Sequence, residues 1–272
     1  MPKIPSAIRP LPLNKTADLH TIDPSQKALF KKGKKGANSS LQSLCARLAD
    51  LQRLIYAEHK HALLVVLQGM DTSGKNGTIR SVFHLADPVG VQVASFKKPS
   101  RAELDRDFLW RIHAETPQQG DIKIFDRSHY EDITAVRVHN LAPKSVWSKR
   151  YDHINAFERL LTDEGTTILK FYLHIDRDEQ KRRLESRLEV PEKRWKFDAS
   201  DILARTHWDD YMNAYNEALR RTNKPWARWY VVPANHKWLR NLIVASVVVK
   251  TLENLDMKYP QPMIPPDLME FE

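Results

Sequence analysis

The sequence predicts an α/β fold, one parallel sheet of about five strands with helices on both faces. Three observations predict it. Short apolar runs alternate with helical patterns along most of the 272 residues, and such alternation with long crossovers builds a parallel sheet covered on both sides. The run Ala62 to Leu67 is apolar throughout, as a strand buried on both faces must be. A glycine-bounded loop, GMDTSGKNG at 69–77, follows that run, and a helical pattern follows the loop.

Residues 1–38 are Pro-rich and then Lys-rich, with KKGKK at 31–35. They read as an extended basic arm ahead of one domain over 39–272. Ser40 opens a helix, because Leu41, Leu44, Leu48, Leu51 and Ile55 recur every three or four residues. The 62–67 strand and the loop come next, then a helix from Lys75 with Ile79, Val82 and Phe83 inward. Val91 to Phe96 is strand-like. Ser100 and Glu103 have capping-box spacing and open a helix through Leu104, Phe108, Leu109 and Ile112. Asp121 to Phe125 is a short strand, 145–162 a helix, and Thr166 to Ile175 the longest strand. Asp176 and Glu179 form a second capping box before a basic helix. Ala199 to Arg221 is helical, Arg228 to Val232 a strand, and Lys237 to Leu255 a closing helix.

Composition narrows the function. The 42% hydrophobic content, with seven Trp, is enough for a core. There are 43 Lys and Arg against 34 Asp and Glu, a net charge of +9. That points to an anionic partner such as nucleic acid, headgroups or a polyanionic substrate. One cysteine, Cys45, excludes an intrachain disulfide and lies in a helical pattern as a small core residue. There is no apolar run of 18 residues, and the start lacks an apolar secretion core; the expected setting is cytoplasmic, with no membrane span.

A strand, a glycine loop and a helix make a phosphate cradle. Gly69, Gly74 and Gly77, with Thr72, Ser73, Asn76 and Thr78, would form it, and Lys75 would add a mobile point charge. Two features depart from the usual loop. Asn76 stands where a magnesium-holding Ser or Thr is usual, and Asp71 sits inside the cradle. A carboxylate against phosphate makes sense with a cation between them, so Asp71 reads as a metal-site acid. Asp126 ends a parallel strand, where α/β folds bind ligands, and reads as the second. Arg127 and Ser128 bring a guanidinium and a hydroxyl to the same edge. Lys97 and Lys98 leave the second strand at that edge and extend the anion site. The helix after residue 176, rich in Lys and Arg, reads as a lid over about 177–200, with Arg183 and Arg187 on one face. Trp195 and Phe197 read as its anchors.

These residues carry a resemblance. GMDTSGKNGTI (69–79), SFKKPS (95–100), FDRSHYEDI (125–133), QKRRLESR (180–187), EKRWKF (192–197) and YVVPANHKWLRN (230–241) occur in order. Over about residues 25–260 the chain resembles the polyphosphate kinase 2 family, short single-domain type. The resemblance implies a P-loop kinase-like three-layer sandwich, close to thymidylate kinase, with a helical lid. It implies reversible transfer of the terminal phosphoryl group of inorganic polyphosphate to a nucleotide, with Mg²⁺ or Mn²⁺. It places Asp71 and Asp126 on the metal, and Lys75, Arg127, Arg183 and Arg187 on the phosphates. The loop and the SHYED segment, 128–132, look like the type that accepts AMP and ADP, with Glu131 near the nucleotide. Guanine as a base stays open, and a homodimer or homotetramer is implied. The alternative is an ATP-dependent nucleotide kinase of the thymidylate kinase-like type. A nucleic-acid-binding P-loop protein is disfavoured, since no DNA or RNA motif occurs.

Overall fold

The computed structural model describes residues 9–13, 18–197 and 199–261, without the side chains of 199–201. The remainder of the expected arm and domain, 1–8, 14–17, 198 and 262–272, lies outside the described residues. Five strands form one sheet: β1 (Ala62–Gln68), β2 (Val91–Ser95), β3 (Ile122–Asp126), β4 (Thr166–His174) and β5 (Trp229–Pro233). Their order is β2-β3-β1-β4-β5 and every pairing is parallel. β1 is central and buried at every position, which is why its sequence does not alternate. β2 is an edge strand, and its Gln92, Val93 and Ser95 are exposed.

The α-helices of the described residues are α1 (Gly33–Glu58), α2 (Lys75–Val82), α3 (Arg101–Leu104), α4 (Trp110–His113), α5 (Ala135–Val138), α6 (Lys144–Asp163), α7 (Arg177–Glu189), α8 (Ala199–Thr206), α9 (Trp208–Thr222) and α10 (Lys237–Glu253). α10 is buried along most of its length and packs on α1. Among the described residues no helix is long and apolar enough to cross a membrane.

Several elements differ from expectation. α1 begins at Gly33, not Ser40, so Lys34 and Lys35 of the basic run are helical. The arm residues that are described are pinned down. Leu19 is buried, Leu11 N–H donates to Trp229 O at 2.7 Å, and Asn235 N–H donates to Pro24 O at 3.2 Å. The Ser100 capping box is present, but its helix ends after four residues. Asp107 Oδ1 accepts from Leu109 N–H at 2.9 Å and helps start α4 as a separate turn. Asp176 caps α7 through Glu179 N–H at 2.6 Å, yet the box is not completed, because the Glu179 carboxylate takes Arg183 at 2.6 Å and Arg182 at 2.8 Å. The 199–221 helix is broken at His207 into α8 and α9. Cys45 is buried as expected; desolvation pushes its thiol up to about 11.

Candidate active site

The chain leaves β1 to cross one way and leaves β3 to cross the other, so the switch point lies between these neighbours. Ligands in open α/β sheets bind at such a point, beyond the strand ends. Leu67 is in register with Asp126, so the glycine loop and that acid emerge side by side.

The loop is built on unusual backbone. Gly69 and Gly74 have φ of 143° and 102°, and Thr72 has φ of 65°. A Cβ on Gly69 would stand 2.7 Å from Leu173 O, and one on Gly74 would stand 1.8 Å from Arg240 Nη1. Gly74→Ala is therefore expected to lower stability by about 3 kcal/mol through strain and overpacking. Urea denaturation measures it, and a loss below about 1 kcal/mol would contradict this account. The hydroxyls of Thr72 and Ser73 are buried without a hydrogen-bond partner among the described residues. Ser73 and Thr78 are buried, and Thr78 Oγ1 donates to Gly74 O at 3.1 Å.

Lys75 opens α2 and is 8% exposed. Its Nζ donates to Gly69 O at 2.9 Å and Met70 O at 3.4 Å, folding back over the loop. Burial and then Arg127 pull its pKa below the ordinary range, against Asp71, Asp126 and Glu131. Five charged groups thus meet at one edge. Asp71 Oδ1 accepts from Arg127 Nη2 at 2.6 Å. Burial works against the Arg127 charge, but Glu131 and Asp71 outweigh it and hold the guanidinium above its ordinary range. Arg127 has φ of 64°, a strained conformation of the kind that collects at functional sites.

Asn76 has a role that its position alone left open. Its Nδ2 donates to Asp126 Oδ2 at 2.7 Å, fixing that carboxylate. Asp126 Oδ1 is buried with no hydrogen-bond partner. An anionic oxygen in that state fits a cation, and Mg²⁺ takes one or two carboxylates with substrate oxygens and water. Among the described residues no group of three His, Cys, Asp or Glu is gathered for a metal, and Mg²⁺ of that kind does not need one.

The other expected residues divide. Ser128 is fully buried, and its Oγ accepts from Tyr130 N–H at 3.2 Å, capping the turn at 129–132. Glu131 faces the cluster; burial raises its pKa, against Arg127 and Lys75. The Gln68 amide is best satisfied with its nitrogen on Glu131 Oε1, at 3.0 Å. Arg183 grips the carbonyl side of the loop, donating to Thr72 O (2.9 Å), Ser73 O (3.0 Å), Ala234 O (2.6 Å) and Asn235 O (3.1 Å). Arg187 Nη1 donates to Lys196 O at 3.2 Å and so ties α7 to the 3-10 turn at Pro191–Lys196. Lys97 and Lys98 are exposed, just past the β2 residue Ser95 that is in register with Asp126. Trp195 corrects its expected role. It is 78% exposed, with Lys196 over its ring, and its Nε1 donates to Glu192 O at 3.0 Å, so it closes its own turn rather than packing into the core.

Residues not singled out from sequence complete the wall. Tyr211 and Tyr215 of α9 lie close enough to Glu131 and Arg127 to feel their charge. Arg240 presses on the loop from α10. Its signal was a charge between Leu239 and Leu242, at the start of an apolar stretch of the helix. Below the site is a sealed ionic cluster. Lys170 Nζ donates to Glu158 Oε2 (2.7 Å), Tyr130 Oη (2.8 Å) and Thr222 O (2.8 Å). Tyr130 Oη donates to Glu158 Oε1 at 2.8 Å, and His129 Nε2 lies 3.3 Å from the same oxygen. Burial alone would raise Glu158, but Lys170 and His129 hold it below the usual carboxylate range.

Comparison with known proteins places the chain in a family. The family model described as polyphosphate kinase 2 (PPK2) matches residues 31–260. An AMP/ADP-polyphosphate phosphotransferase of Meiothermus ruber is 54% identical over 90% of this chain and 92% of its own. An ADP-polyphosphate phosphotransferase of Rhodopseudomonas palustris is 44% identical over 85% and 84%. The crystal structure of polyphosphate kinase 2 from Arthrobacter aurescens TC1 superposes with a TM-score of 0.89 at 40% identity, covering 92% of this chain and 90% of that one. With a loop of that geometry at the switch point, and a match over most of its length, the chain belongs to the polyphosphate kinase 2 family.

Proposed function

We propose that the protein transfers the terminal phosphoryl group of inorganic polyphosphate to AMP and to ADP, reversibly, forming ADP and ATP. The observation that carries this is the 54% identity, over nine tenths of both chains, with a protein named AMP/ADP-polyphosphate phosphotransferase. The site suits the chemistry. An oxygen of the acceptor's terminal phosphate attacks the end phosphorus of the polymer in line. One P–O bond forms as the bond to the shortened chain breaks. That oxygen is already ionised at neutral pH, so no general base is required. Positioning and charge neutralisation suffice. Lys75 and Arg127 supply cations at the strand ends, and Arg183 holds the loop in shape. Asp126, steadied by Asn76, and Asp71 would hold Mg²⁺. When bound, that ion neutralises phosphate oxygens. Glu131 marks the acceptor side in this proposal, and the basic surface steers the polyanion inward.

Full-length protein with Mg²⁺, polyphosphate and either acceptor is expected to yield ADP from AMP and ATP from ADP, separated by anion-exchange chromatography. ATP replaces polyphosphate in a control with AMP. Absence of product from both acceptors with polyphosphate would reject the proposal, and turnover with ATP alone would favour an ordinary nucleotide kinase.

A further inference from the structure

Arg240 lies on α10 and is 2% exposed. Its Nε and Nη2 donate to Asn241 Oδ1 at 3.1 and 2.8 Å, and its Nη1 donates to Ser73 O at 3.2 Å. All these acceptors are neutral, and no carboxylate pairs with it among the described residues. The charge it senses is Arg183, of like sign; burial and then that neighbour pull its pKa down to about 9. Lys237, one turn earlier, is also drawn down, by burial, then Arg183, then Arg240. Glu179 is the acid nearby, and it is bonded to Arg182 and Arg183. A buried cation without a counter-charge is costly.

The loop is shaped around that cation. A Cβ on Gly74 would collide with Nη1, and one on Gly77 would come within 3.2 Å of Nη2. Two loop glycines therefore make room for the guanidinium, apart from any need to approach a phosphate. The cation sits against the turn where the cradle passes into α2. The missing negative charge belongs on the other side of that turn.

We propose that Arg240 is a positioning residue whose charge is balanced by the polyanion seated in the loop, and that it holds the Gly74–Gly77 turn in binding geometry. This rests on the loop being the phosphate site of the reaction proposed above. In the absence of the anion the charge is a burden; in its presence it is a counter-charge.

The test compares wild type, Arg240→Gln and Arg240→Lys, all full length. Thermal melting and equilibrium titration are run with tripolyphosphate and, separately, with ATP, each with Mg²⁺. Arg240→Gln is expected to melt at or above the wild-type temperature without anion. Its affinity for both anions is expected to fall about tenfold. KM for polyphosphate rises in step, while kcat stays within about threefold. Arg240→Lys keeps the charge and is expected to bind within about threefold of wild type. A purely structural arginine would behave otherwise. Loss of folding or a lower melting point in Arg240→Gln without anion overturns the proposal, as does wild-type affinity for both anions. Should wild type bind ATP yet fail to turn over polyphosphate, the substrate reading falls, and the ATP titrations still decide for or against Arg240.

Discussion

Replacing Asp126 with Asn is expected to lower kcat by about 10³-fold and leave the fold intact. The carboxylate is 8% exposed at the end of β3, opposite Leu67 of β1. One oxygen is held by Asn76 and the other is buried without a donor. An amide of the same shape removes the charge that a cation would take and leaves the backbone pairing of β3 untouched. The apo protein is expected to melt no lower than wild type, since an unsatisfied anionic oxygen has been neutralised. Steady-state turnover at saturating Mg²⁺ gives the activity. The Mg²⁺-dependent rise in melting temperature, expected in wild type and absent from the variant, gives a readout independent of turnover. A variant within about tenfold of wild-type kcat that still responds to Mg²⁺ in melting would remove Asp126 from the metal site.

The largest stability effect is expected at Glu158→Leu, a loss of about 3–5 kcal/mol. Glu158 and Lys170 have no exposed side-chain surface. Taking away the acid strands an ammonium among Tyr130, Trp229 and Thr222, with no solvent to reclaim it. In a chain of this size that is a melting decrease of roughly 10 °C. The double variant with Lys170→Met is expected to regain most of the loss, because apolar replacement of a whole buried pair is often neutral. Differential scanning calorimetry of the three variants separates the cases. If the double variant is no better than Glu158→Leu alone, the pair is not the cause. Activity should suffer too, since His129 and Tyr130 of the cluster directly precede Glu131 in the turn at the site edge.

The fold was readable where local signals agree. β1 shows unbroken apolarity, the loop shows its glycines, and the order of strands and helices leaves few topologies. What was not readable depends on partners distant in sequence. Nothing local in 104–112 says that α3 stops, since no Gly or Pro interrupts it; Asp107 provides a second start that competes with helix continuation. Asp176 and Glu179 have the spacing of a capping box, but Arg183, a turn later, draws the glutamate away. At the site, the acids and Lys75 were visible because their spacing is dictated by the strand ends. Arg183 was visible as a basic residue on a helix face, but not its grip on four backbone carbonyls, which needs the loop and β5 in place. Asn76 was seen as a departure from pattern, yet its meaning depends on an aspartate fifty residues away. Lys170 lies in a strand that reads as apolar, and its partners Glu158, Tyr130 and Thr222, all distant in sequence, explain its presence.

The pinning of the N-terminal segment has a consequence for the order of events at the ribosome. Leu11 bonds to Trp229, and residues 24 and 25 bond to Asn235. Residues 11 and 24–25 are thus made long before these partners, because β5 is the last of the described strands in sequence. At about 5–20 residues per second of synthesis, some two hundred residues separate the partners by on the order of ten seconds or more. Within that interval the early segment gains its partners on β4 and α9, His174 at Ile22 O and Asn216 at Leu19 N–H. β1, the central strand, waits for β3 and β4 as well. The sheet is therefore sewn to the early segment from β5 backwards, and a chain cut short before β5 would leave residues 11, 24 and 25 without these partners.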